Sequence, residues 1–151
     1  MKTHIIKILF LITSVLFSPS LFAKEKAVII VSESVDLSKI SKNDLQNIFL
    51  GKQTLWKDGK RIQISLSNED EKLLDDFLAN SVGKTKRRYK KYWLKKVFSG
   101  YGIAPKIFTN NTKTIQFVQE REHAIAFVTI DDSQSIEGMK VLNIEGQNYL
   151  N

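Results

Sequence analysis

The run KTKRRYKKYWLKK, Lys84 to Lys96, holds eight basic residues and no acid. On a helix, Lys84, Arg88, Lys91 and Lys95 fall at i, i+4, i+7 and i+11 and form one cationic stripe. Such a stripe can dock an anionic partner: lipid headgroups, an acidic protein or a cell-envelope polyanion. It can equally be a solvated face, as charge runs often are. Tyr89, Trp93 and Val97 fall on another face with Leu94 beside them, which predicts that the aromatics are core and the bases solvated. The next segment upstream is oppositely charged, with five acids and one Lys between Glu69 and Asp76.

Other chemistries are excluded by what the chain lacks. It has no cysteine, so it has no disulfide, thiolate metal site or cysteine nucleophile. Its two histidines are His4 and His123. His123 has no acidic spacing around it that would build a zinc site, and it reads as a loop residue between a helix and a strand. No P-loop, G-x-G-x-x-G or G-x-S-x-G is present, and no Ser-His-Asp or paired-carboxylate arrangement stands out. No catalytic residue, metal or cofactor is therefore expected, and the chain does not read as an enzyme.

These residues need a framework. The 151-residue chain is 42% apolar, enough for one core, with a net charge of +7. Residues 1–23 have the layout of a cleaved signal peptide: Lys2 and Lys7, an apolar run from Ile8 to Phe17, then Ala23 before a charged KEK. A spanning helix would need about 20 apolar residues. The expected product is a periplasmic domain, 24–151. An exported chain without an RNA-binding aromatic motif is not expected to meet nucleic acid.

Along that domain, AVIIVS (Ala27 to Ser32) predicts a buried strand, and VDLSKIS a connection. Ser41 predicts a helix N-cap with Asp44 three residues on, and Gly51 stops that helix after Leu45, Ile48 and Phe49. An Asp-Gly turn leads to RIQISLS, a strand with Ile62, Ile64 and Leu66 on one side. A second helix, capped by Asn68, presents Leu73, Leu74, Phe77 and Leu78 and ends at Gly83. A third runs from Lys84 to Phe98, and APKIFTNN returns extended. A fourth helix starts at Asn111 or Thr112, with Ile115, Phe117 and Val118 as its apolar positions. AIAFVTI is a buried strand, and EGMKVLNI is a last strand at a sheet edge. The alternation predicts an α/β domain with a mainly parallel sheet flanked by helices.

Two stretches carry a resemblance. SKNDLQNIFLGKQTLWKDGKRIQI is similar to a segment of type II periplasmic binding proteins, in particular phosphate-binding receptors of ABC transporters. YKKYWLKKVFSGYGIAP resembles the YW…F.G.G..P segment of small secreted phosphate-receptor-like proteins. AIAFV stands where those proteins often have AIGYV, with Ala126 and Phe127 replacing Gly and Tyr. The matches occur in family order between Val28 and Val141.

The resemblance implies a periplasmic location and a single binding-protein-like lobe, because full receptors have two lobes and the 24–151 segment is about half that size. It also implies where a ligand would sit. In phosphate receptors the strand after the Trp leads into a Ser-Gly-Thr turn that opens a helix, whose N–H groups hold phosphate. Here the stretch is SLSNEDEKLLDDF. Ser65, Ser67 and Asn68 are the candidate ligand residues, though capping would also explain Ser67 and Asn68. Glu69, Asp70 and Glu71 are expected in the first helical turn, where they would repel an anion. The expected function is a periplasmic accessory or sensory binding protein that contacts a small oxyanion weakly, or a membrane sensor or transporter component. The alternative is a genuine phosphate or oxyanion receptor of an ABC transporter.

Overall fold

A strand that is apolar at every position must be covered on both faces. The first strand, β1 (Lys26–Ser32), comes close: Ala27 to Val31 are apolar, and Val28 to Ser32 are all buried. A computed structural model describes residues 26–131 and 135–144; the expected signal segment 1–23 lies outside them. The elements after β1 are β2 (Lys39–Ile40), α1 (Lys42–Phe49), β3 (Gln63–Ser67), α2 (Glu71–Phe77), a π-helical turn (Leu78–Val82) and α3 (Lys86–Phe98). Then come β4 (Lys106–Phe108), α4 (Asn111–Gln119), β5 (Ala124–Ile130) and β6 (Met139–Ile144).

The six strands form one sheet in the order β2-β6-β1-β5-β3-β4. β3 pairs parallel with β4 and β5, and β2 parallel with β6. β1 alone runs against its neighbours, pairing antiparallel with β5 (Ile29 opposite Phe127) and β6 (Ile29 opposite Leu142). The sheet is thus mainly parallel with one reversed strand at its centre.

Its two faces carry separate cores. Ile29, Val31, Leu66, Ile125 and Phe127 pack with residues of α1, α2 and α3. Phe77 links the layers, edge-on to Phe49 at 5.1 Å and stacked on Phe127 at 4.5 Å. On the other face Val28, Ile30, Ala124, Ala126 and Val128 meet Phe117 and Val118 of α4. Full burial of a side chain the size of Phe127 contributes about 1.5–3 kcal/mol.

Ser41 caps α1 by accepting the Asp44 N–H at 3.0 Å, and Gly51 follows with φ +60°. The β3 phase is as read, with Ile62, Ile64 and Leu66 in the larger core. His123 has φ +64°, rare for a residue with a side chain. Its backbone is held on both sides: its N–H donates to Ser34 Oγ, and its carbonyl accepts the Trp56 indole N–H at 2.9 Å.

Four expectations need correction. The VDLSKIS connection contains β2. The last strand, β6, is not at an edge, because β2 covers it; the edges are β2 and β4. The second helix is capped by Asp70, not Asn68: Asp70 Oδ1 accepts the Leu73 N–H at 2.9 Å. The Asn68 N–H is still bonded to the Phe108 carbonyl, so the chain there prolongs the β3–β4 pairing and cannot yet turn helical. Only Glu71 of the three acids therefore lies in the first turn. The third helix begins at Lys86, with Thr85 as its cap, which leaves Lys84 before the helix.

Candidate functional site

Because β3, β4 and β5 run parallel, their carboxyl ends emerge along one side of the sheet, where α2 and α4 begin. Ligands of open α/β sheets bind outside such strand ends. Every candidate ligand residue lies here. Ser65 and Ser67 are buried in β3. The Ser67 hydroxyl accepts the Glu69 N–H at 3.3 Å, whereas the Ser65 hydroxyl finds no partner among the described residues. The Asn68 side-chain oxygen accepts from the Lys86 ammonium at 2.9 Å, and the same ammonium pairs with Glu71 at 2.6 Å.

The start of α4 is the other half of this end. Asn110 caps it, accepting the Lys113 N–H at 2.9 Å. Asn111 is buried and exchanges two bonds with Thr129 of β5, giving its amide to Thr129 Oγ1 and accepting the Thr129 N–H. Its own backbone N–H, which has no partner within the helix, donates to the carboxylate of Glu69. A helix N-terminus favours an anion. Here the protein supplies one from its own β3–α2 connection.

Sequence reasoning placed Glu69 among the acids but on the wrong helix. It precedes α2 and reaches α4. Asn111 and Lys86 were missed as members of this end. Asn-Asn before a helix signals a cap, but nothing local says that the second Asn turns inward to Thr129.

The cationic stripe lies elsewhere. Arg88, Lys91 and Lys95 are exposed on α3, and none is in an ion pair among the described residues. Lys84 is apart from them, its ammonium 5.0 Å from the ring centre of Tyr92. Tyr89 and Trp93 are buried as expected, while Leu94 (49%) and Val97 (44%) at the margins of that face are exposed. The sheet ends at the three-residue β4, which is too short to cover them.

The inner side of α3 closes the end of α1. Tyr89 donates to the Phe49 carbonyl at 2.7 Å and Tyr92 to the Leu50 carbonyl at 2.7 Å. The Trp93 indole N–H also reaches Phe49 O, and Lys96 donates to the carbonyls of Leu50 and Gly51. These are the acceptors that a helix end leaves unmet, and a cation there also suits the helix dipole. Burial raises the Tyr89 phenol above its ordinary value. Gly51 lies so close to the Trp93 ring that an added Cβ would collide with it, and a Cβ on Gly102 would lie 3.3 Å from the same ring. The stretches IFLGK and YKKYWLKKVFSGYG thus form one contact.

No protein-family model and no curated protein matches the sequence. Solved structures do. PstS from Borrelia burgdorferi matches with a TM-score of 0.60 at 17% identity, covering 82% of this chain and 49% of its own. An ABC-type phosphate transport receptor from Vibrio cholerae matches at 0.51 and 15%, covering 82% and 48%. A phosphate-binding protein from Stenotrophomonas maltophilia matches at 0.53 and 15%, covering 81% and 39%. The chain has the phosphate-receptor fold. It spans half or less of the length of these proteins, which fits one lobe of that fold. No described helix is long and apolar enough to cross a membrane, and no described group of three or more acids and histidines could hold a metal ion.

Proposed function

We propose that the protein is a periplasmic, single-lobe binding-protein-like factor with an accessory or sensory role, working beside a membrane sensor or a transporter component. One observation carries this choice over a transport receptor: the Glu69 carboxylate sits on the α4 N-terminus. That terminus lies at the carboxyl ends of β3, β4 and β5, the side on which open α/β sheets bind ligands. Asp70 and Glu71 add negative charge, and Asn68 is already held by Lys86. Two like charges about 4 Å apart repel by roughly 1–4 kcal/mol, depending on screening.

Titration calorimetry with inorganic phosphate tests this. The expected outcome is no one-to-one binding in the micromolar range. Micromolar or tighter binding overturns the accessory role and makes the protein a genuine oxyanion receptor, with the Ser65 hydroxyl, unpartnered among the described residues, as the first side chain to examine.

A further inference from the structure

The outward side of α3 is not simply polar. Arg87, Lys91, Leu94, Lys95 and Phe98 recur at i, i+4, i+7, i+8 and i+11 and share one exposed face. Leu94 and Phe98 lie along one edge of it with Arg87 between them in rotation, and Lys91 and Lys95 lie on the other side. Phe98 is 87% exposed. The helix ends at Gly100, whose φ of +74° turns the chain, and Tyr101 (79%) and Ile103 (75%) stand out directly after it. Beside them a shallow apolar groove of about 250 Å³ runs between α3 and the edge strand, lined by Leu94, Val97, Ala104, Pro105 and Ile107, with Lys90 at its rim.

Large apolar side chains held this far out lose the benefit of burial, about 1.5–3 kcal/mol for one the size of Phe98. Contiguous patches of this kind mark interaction sites. Two features select the occupant. The apolar groups protrude from a convex helix end and turn, so they would enter a soft phase more readily than a preformed pocket. The flanking cations Arg87, Lys91 and Lys95 have no acidic partner among the described residues. Exposed apolar side chains beside unpaired Lys and Arg match an anionic bilayer surface, where the aromatic rings enter the headgroup region and the cationic groups meet lipid phosphates.

We infer that α3 and the turn after it form a docking surface for an anionic lipid membrane, with Phe98, Tyr101 and Leu94 inserting and Arg87, Lys91 and Lys95 holding the headgroups. This inference does not depend on how the strand-end site is read. It uses the opposite, outward side of α3 from the residues that close α1.

Vesicle co-sedimentation tests it, using protein recovered from cells that express the full chain. The expected result is binding to phosphatidylglycerol–phosphatidylethanolamine vesicles and little binding to phosphatidylcholine alone. Lys91→Glu with Lys95→Glu should lower partitioning at least about tenfold, since each base near an anionic surface adds attraction. Phe98→Ser with Tyr101→Ser should lower it by about tenfold while leaving the salt dependence in place. All four side chains are exposed, so unchanged thermal unfolding serves as the folding control. The inference is overturned by absence of binding to anionic vesicles, by binding that neither double variant weakens, or by self-association through this patch in place of vesicle binding.

Discussion

Two ends of the molecule invite comparison: the clasp of α3 on α1, and the polar end where β3 and β5 meet α4. The clasp holds the residues that most resemble phosphate receptors, yet its hydrogen bonds all close protein on protein. The polar end lies at the carboxyl ends of the strands, where open α/β sheets bind ligands, and there the sequence lacks the receptor-like Ser-Gly-Thr. Its helix terminus is filled by Glu69. A shared fold needs the clasp, because an unmet helix end must be satisfied whatever the protein binds. It does not need the ligand turn. Resemblance can therefore survive in the scaffold after the site has changed.

The clasp offers the sharpest way to break this contrast. Gly51→Val places a branched side chain at φ +60° and into the Trp93 ring. Backbone strain and overpacking together should cost about 2–4 kcal/mol, read as a lower midpoint in urea unfolding. A loss below about 1 kcal/mol would mean that the two stretches are not a structural unit.

Tyr89→Phe is a milder cut. It removes one bond to the Phe49 carbonyl and leaves Trp93 on the same atom. A loss of about 1 kcal/mol is expected at pH 7. The same variant has a pH signature. Burial holds the folded phenol above its ordinary value, so above pH ~10 the unfolded chain gives up a proton that the folded chain keeps. This contribution is fully present below that pH and is lost as pH rises past it. Alkaline unfolding should therefore be shallower in Tyr89→Phe, and identical alkaline limbs would contradict a buried phenol.

The polar end should respond least. Glu69→Gln keeps an acceptor for Asn111 and removes only the charge. The expected loss is about 0.3–1 kcal/mol, smaller in high salt. Phosphate-dependent stabilisation that appears in the variant and not in the parent would identify this carboxylate as what keeps anions out.

Much of the scaffold was legible because its signals are local. Ser41, Gly51, the period of RIQIS and the apolar run of β1 each set their own element. The cap of α2 was not, since Asn68, Glu69 and Asp70 stand in a row and both Asn and Asp favour that position. The choice falls to Asp70 through a backbone bond from Asn68 to Phe108, forty residues away in sequence. Glu69 and Asn111 likewise meet only in three dimensions. Leu94 and Val97 stand beside the buried Tyr89 and Trp93 yet are exposed. No local pattern shows that the sheet stops at a three-residue strand beside them.

The reversed central strand has a consequence for how the chain comes to be folded. β1 hydrogen-bonds only to β5 and β6, so Lys26 waits for Ile130 and Ile29 for Leu142. Pairings this distant require a large loop closure before they return any stabilisation, and such topologies fold slowly. While the ribosome is still making β5, β1 has no partner, and its apolar face has nothing to cover it. Until those strands exist, the central strand of the sheet is free to remain extended, which is the form in which a polypeptide passes through a narrow channel.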